Sequence, residues 1–159
     1  MTFIRRFVLA SVLILGLGTL QAHAQRTDGA FGLGAQLGDP TGFTAKIYND
    51  AAPSYDLLMA WDVSESDFFF LNVHALFEQP FTLENVNQPL EWFIGPGAYI
   101  GSRENPNESD AVLGISGSAG INWIPDPRVE VFVQLTPRIN VIPETTGDIG
   151  GGVGVRYYF

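Results

Sequence analysis

Beyond the first two dozen residues the chain offers one histidine, His74, as a general base. Acyl-transfer chemistry would need that base beside a hydroxyl and a carboxylate. His74 instead follows Asn72 by two positions within an alternating stretch, which puts both on the same face of a strand. A lone histidine on such a face suits a hydrogen-bonded interior better than catalysis, so no catalytic residue is expected. The chain has no cysteine, which excludes disulfides and thiol chemistry. No glycine-rich stretch opens a helix, as a phosphate-binding loop must. Neither a cofactor nor a metal site is expected.

The remaining ionisable side chains fall into two groups. One lies on the polar faces of alternating segments: Lys46, Asp56, Asp62, Glu91, Glu130, Arg138 and Arg156, accompanied by His74, Gln36, Asn72, Tyr99, Gln134 and Tyr158. If those faces turn inward, burial demands pairing, and the three cations are expected to join Asp56, Asp62, Glu91 and Glu130 in one polar network. The other group lies between segments: Asp39, Glu65, Asp67, Glu104, Glu108, Asp110, Glu144 and Asp148, with Arg103 as the one cation. Carboxylates in that number could hold Ca²⁺ or Mg²⁺ and so bridge to an anionic surface. Their spacing matches no ion-binding loop, and solubility alone accounts for them.

The elements that must position these residues are strands. Turn-forming clusters cut the chain into period-2 segments near Ala30–Leu37, Gly42–Asn49, Tyr55–Val63, Asp67–Phe77, Leu90–Ile100, Ala111–Trp123, Val129–Val141 and Ile149–Phe159. The seventh is the clearest, with Val129, Val131, Val133, Leu135, Ile139 and Val141 against Glu130, Phe132, Gln134, Thr136, Arg138 and Asn140. The connections, among them Gln79 to Pro89 and Ser102 to Asp110, carry most of the Pro, Asn, Asp and Glu. The fold expected is all-β, an eight-stranded antiparallel up-and-down barrel. Alternation alone does not say which face is outside. Two features do. The polar face is rich in small residues (Gly32, Gly34, Gly114, Ser116, Gly120, Gly152, Gly154), which suit a crowded interior. The chain also has a single lysine, Lys46, where a solvated sheet would use many. The apolar face is therefore expected to meet lipid. The opposite arrangement, a soluble periplasmic barrel of lipocalin type, would line an internal cavity with Trp61, Trp92, Val131 and Val133. Pro96 and Pro137 fall inside expected strands, and local bulges are expected there. Phe68 and Phe70 should point inward near one rim.

The ends of the chain fit this reading. Arg5 and Arg6 precede an apolar run, Phe7 to Leu20, and the small-residue pattern Ala22-His23-Ala24. That is the layout of a cleaved secretory signal over 1–24, with a barrel domain over 25–159. Its loss removes two of eight basic residues and none of the seventeen acidic ones, leaving a net charge of −11. So acidic a chain, without a basic patch, argues against nucleic acid as a partner. No later apolar run approaches the roughly 20 residues of a helical span, so a membrane could be crossed only by a closed barrel. The last segment alternates Val153, Val155, Tyr157 and Phe159 with Gly154, Arg156 and Tyr158.

A strand ending in this way resembles the assembly signal of bacterial outer-membrane proteins. Over residues 25–159 the chain resembles small barrels of the OmpA and OmpX type. Gly32 to Lys46 reads G-L-G-x-x-L-G-x-P-T-G-x-x-x-K, which resembles the first hairpin of a group of small bacterial barrels with no established activity; Leu90 to Ile100 resembles a later strand of that group. In its turn Pro40 would fix φ and Gly42 would accept the unusual dihedrals. The resemblance implies a Gram-negative outer-membrane location and a monomer surrounded by lipid and lipopolysaccharide. It also implies delivery by periplasmic chaperones and the barrel-assembly machinery, and a structural or surface-interaction role around a plugged polar interior. It implies no substrate. N-terminal sequencing of the exported protein should begin at Gln25; a protein still carrying Phe7 to Leu20 would refute the cleavage.

Overall fold

A computed structural model describes residues 27–62, 68–83, 86–105 and 108–159. The expected export segment lies outside them. Eight strands follow one another: β1 (Phe31–Asp39), β2 (Gly42–Ile47), β3 (Ser54–Asp62), β4 (Phe68–Leu83), β5 (Val86–Asn105), β6 (Glu108–Asp126), β7 (Val129–Ile142) and β8 (Gly147–Tyr158). Each is antiparallel to the next, and β8 pairs with β1 from Gly32–Tyr158 to Asp39–Gly151, closing the barrel.

The polarity of the wall follows the alternation. Leu37, Leu135 and Ile149 stand out from the surface at 68%, 64% and 72% exposure, while Lys46, Glu130 and Arg156 on the other face are buried. Trp61, Trp92 and Val133 are exposed on the outer face, and Val131 shares their side of the sheet, so none of them lines an internal cavity. Among the described inward apolar residues Leu58, Ala60, Phe70 and Tyr99 form one cluster, and Leu76, Phe93 and Phe132 are buried elsewhere in the interior. Phe70 is buried against Tyr99 with ring centroids 5.3 Å apart. The side chain of Phe68 is outside the described residues.

Several local expectations are corrected. The connection expected from Gln79 to Pro89 is mostly strand, because β4 continues to Leu83 and β5 begins at Val86, with Pro80 facing Glu91. The one expected from Ser102 to Asp110 is strand as far as Asn105 and again from Glu108. Cross-strand pairing overrides the turn propensity of single residues in these long hairpins. In the β1–β2 turn the positive φ falls on Gly38 (+152°), not on Gly42. Thr41 closes that turn, its hydroxyl accepting from the Gly38 amide at 3.1 Å and donating to the Gly38 carbonyl at 3.0 Å. Gly42 is small for another reason: a Cβ there would lie 2.2 Å from the Met59 carbonyl oxygen.

The bulges expected at Pro96 and Pro137 are absent. Register is the same on either side of each proline: His74–Gly97 and Phe77–Ile94 across β4·β5, Ser116–Arg138 and Ala119–Leu135 across β6·β7. What changes is the ladder, which lapses between those pairs. Proline has no N–H to give to the strand it faces, and removing one donor needs no extra residue. The register shifts occur instead at Phe81/Leu83, Leu113/Gly114 and Trp123/Asp126. Pro137→Val should restore the donor and stabilise the barrel by about 1 kcal/mol, read as a higher urea midpoint by tryptophan fluorescence; an unchanged or lower midpoint would mean the ladder gap has another cause.

Candidate functional site: the charged interior

Register alone sets two opposite-charge pairs side by side on the inner wall. Lys46 on β2 faces Asp56 on β3, and Glu130 on β7 faces Arg156 on β8. The ion pairs that form do not follow these neighbours only. Arg156 Nη2 donates to Asp56 Oδ1 at 2.6 Å, and Lys46 Nζ donates to Glu130 Oε2 at 3.0 Å, both across the lumen. Arg156 Nη1 completes the circuit to Glu130 Oε1 at 2.6 Å. All four side chains are almost fully removed from solvent.

Neutral groups fill other bonding positions, while Asp56 Oδ2 accepts no hydrogen bond. Thr44 accepts from Arg156 Nε and Nη2 at 2.9 and 2.8 Å and donates to Asp56 Oδ1 at 3.1 Å. Tyr158 donates to Glu130 Oε2 at 3.0 Å, and the Arg156 guanidinium lies 3.9 Å from the centroid of the Phe132 ring. Lys46 also pairs with Glu78, which accepts from Ser54 at 2.6 Å and from Asn122 at 2.7 Å. Above this ring Gln134 donates to Gln36 at 2.6 Å across the β1·β8 closure. Charge-assisted bonds in a low-dielectric interior are strong, and here each cation holds at least two carboxylate partners.

His74 sits in the next layer, fully buried. Its Nε2 is 3.2 Å from the Ser116 hydroxyl, and its Nδ1 is 3.8 Å from Asp56 Oδ2. A hydroxyl, an imidazole and a carboxylate thus lie in line, but the relay is incomplete. Ser116 donates to Asn72 Oδ1 at 2.9 Å, and the imidazole–carboxylate separation exceeds hydrogen-bond range. Among the described residues no group of three or more His, Cys, Asp or Glu is disposed to hold a metal ion.

Arg138 stands apart from the ring. It pairs with Asp39 and Asp148 at the end of the barrel where the β1–β2 and β7–β8 connections lie. With Phe70, Tyr99, Asn140 and Thr146 these residues line a cavity of about 480 Å³ at that mouth. The single network expected from sequence is therefore two clusters, since Arg138 lies too near the rim to reach Asp56 or Glu130. Glu91 is half-buried near the opposite end of the barrel. The side chain of Asp62 lies outside the described residues, as do those of Glu65, Asp67, Glu104, Glu108, Asp110 and Arg103. Glu78 was not expected in the interior, yet Asn72, His74, Leu76 and Glu78 continue one inward series along β4. Carrying the period-2 pattern one step past Phe77 would have found it.

The closing strand presents Val153, Val155, Tyr157 and Phe159 outward. Tyr157 and Phe159 meet edge to face at 5.3 Å, and the Phe159 amide donates to the Phe31 carbonyl at 3.0 Å, beside the β1·β8 seam.

No family model matches the chain, and no curated protein does. Among solved structures, the N-terminal β-barrel domain of Pseudomonas aeruginosa OprF is similar at 13% identity and a TM-score of 0.55, over 83% of this chain and 98% of that one. Neisserial surface protein A (13% identity, TM-score 0.45, 82% and 95%) and Ail, the attachment invasion locus protein of Yersinia pestis (13%, 0.44, 84% and 100%), are also matched. At these identities the likeness to the OprF domain is one of fold: a closed, eight-stranded antiparallel barrel.

Arg156→Leu should destabilise the barrel by about 3–5 kcal/mol, because it leaves Asp56 and Glu130 buried without their shared partner. Arg138→Leu should cost no more than about 1 kcal/mol, since its carboxylate partners are mostly exposed and screened. Equal shifts in the two urea midpoints would contradict the division into a central ring and a rim cluster.

Proposed function

We propose that this protein is a monomeric outer-membrane barrel with a filled, polar lumen, serving a structural or surface-interaction role without catalysis. One observation carries the reading: the polarity of the wall is inverted relative to a soluble barrel, with large apolar side chains outside and the ion-paired ring inside. A soluble protein rarely exposes so continuous an apolar surface, whereas a membrane barrel needs it. The fold shared with the OprF domain is a closed barrel, the one sheet architecture that can span a membrane.

The filled lumen is supported by the ring itself. Lys46, Asp56, Glu78, Glu130 and Arg156 meet across the full width of the interior, and an eight-stranded barrel is only wide enough for side chains. The non-catalytic reading is supported by the incomplete relay at His74. Its surroundings in this reading are membrane lipid and lipopolysaccharide. Periplasmic chaperones and the barrel-assembly machinery would deliver it, reading Val153, Val155, Tyr157 and Phe159. The end that bears the Arg138 mouth carries four connections and would face outward, so surface contacts would be made there.

Isolated outer membranes should contain the protein as a band whose mobility in SDS gels changes on boiling, and planar bilayers containing the purified barrel should show no steady conductance. Recovery in the soluble periplasmic fraction without a mobility shift would overturn the location. Stable single-channel steps would overturn the filled lumen.

A further inference from the structure

Arg138 is held at the mouth of the barrel with hydrogen-bonding capacity to spare. Its side chain is only 8% exposed. The guanidinium lies 5.5 Å from the centroid of the Phe70 ring on β4, and a Cβ at Gly150 on β8 would come within 2.9 Å of its Cζ. Nη2 donates to both Asp39 and Asp148. Nε and Nη1 have no hydrogen-bond partner among the described residues, and neither is sealed from solvent. Arg138 lines the mouth cavity of about 480 Å³. Indentations of similar size on the outer wall, around Gly117 and around Ile115, have no charged side chain in their lining.

The arrangement selects among ligands. Buried donors call for acceptors, so the two idle donors suit oxygen atoms. Both forks by which a guanidinium grips a carboxylate or phosphate with parallel N–H groups include Nη2, and here Nη2 is already engaged. What remains are single donors, each matched to a single oxygen. Asp39 and Asp148 also outnumber Arg138 in the lining, so an anion meets net repulsion. The same carboxylates accept hydrogen bonds close beside the donors, and a hydroxyl group can answer both. Deeper in, Phe70 and Tyr99 lie 5.3 Å apart with Val112 packed against them, which makes an apolar floor. Asn140 and Thr146 bond to each other at 2.5 Å along the wall.

We infer that this mouth binds one neutral saccharide ring, its hydroxyl edge toward Arg138, Asp39 and Asp148 and its C–H face toward the Phe70–Tyr99 floor. The inference deepens the surface-interaction role proposed above and rests on this end facing outward. A few convergent polar groups over an apolar floor are the ordinary make-up of a small-molecule site, and the volume falls within the roughly 300–1,000 Å³ of such sites. The sugar would belong either to neighbouring lipopolysaccharide or to a saccharide arriving from outside.

The test titrates the exported barrel, in lauryldimethylamine oxide micelles, with the methyl pyranosides of glucose, galactose and mannose and with methyl glucuronide, read by saturation-transfer NMR. At least one neutral glycoside should bind with a Kd of about 1 mM, and the glucuronide at least about fivefold more weakly. Arg138→Lys keeps a cation for Asp39 and Asp148 but lacks the two idle donors, and should weaken binding about tenfold or more with the heat-dependent mobility shift intact. Absence of transfer to all three neutral glycosides from folded barrel, a glucuronide bound as well as they are, or unchanged binding by Arg138→Lys would each overturn the site. The wild-type titrations decide by themselves if Arg138→Lys does not fold. In phospholipid vesicles, loss of glycoside binding on adding lipopolysaccharide would assign the site to that lipid's sugars, and undiminished binding to a saccharide from outside. Binding in micelles by a protein recovered from the soluble periplasmic fraction would overturn the outward-facing reading and leave the site standing.

Discussion

Closure of β8 onto β1 is the constraint from which the rest of this structure follows. A sheet that meets itself leaves no strand with an unpaired edge, and in hydrocarbon no other sheet is tolerable. Closure also creates an inside, and eight strands give that inside room for side chains and little more. Whatever points inward must therefore be small or must find a partner there. The barrel uses both solutions. Gly34 and Gly42 lie so close to neighbouring carbonyls that no side chain would fit. Where side chains do enter, Arg156, Lys46, Asp56, Glu78 and Glu130 join strands β2, β3, β4, β7 and β8 through one another.

Such a ring is a conditional source of stability. Buried ion pairs repay their desolvation only when geometry is good and the remaining lone pairs are occupied. Here Thr44, Tyr158, Ser54 and Asn122 occupy most of them, Asp56 Oδ2 being left without a hydrogen bond, and the Phe132 ring lies against the guanidinium. The ring also discriminates among folds. Its bonds join residues on strands far apart in the sequence, so an open sheet or a slipped register would leave buried charges unpaired.

Prolines reveal how much the closed sheet can absorb. Pro96 and Pro137 interrupt their ladders without moving the register. The ladders on their other sides, Pro96–Gly117 and Pro137–Ile149, hold the strands in place. A closed barrel gives every strand two partners, so the loss of a donor toward one is carried by the other. An expectation built on single strands put bulges there; one built on strand pairs would not.

By itself the sequence determined the number of strands, their alternation and the face that turns outward. These are properties of period and composition, and a period of two leaves only two choices of face, which the small inward residues and the single lysine distinguish. The residues of the ring, Lys46, Asp56, Glu130 and Arg156, were also legible, because burial of a charge is implied by its face. Tertiary structure alone decided who pairs with whom. Arg138 and Arg156 carry the same charge on the same inward face, yet one closes the centre and the other guards the mouth. That difference is a matter of height along the barrel, which depends on strand register and stagger. Neither is written in the alternation of any one strand.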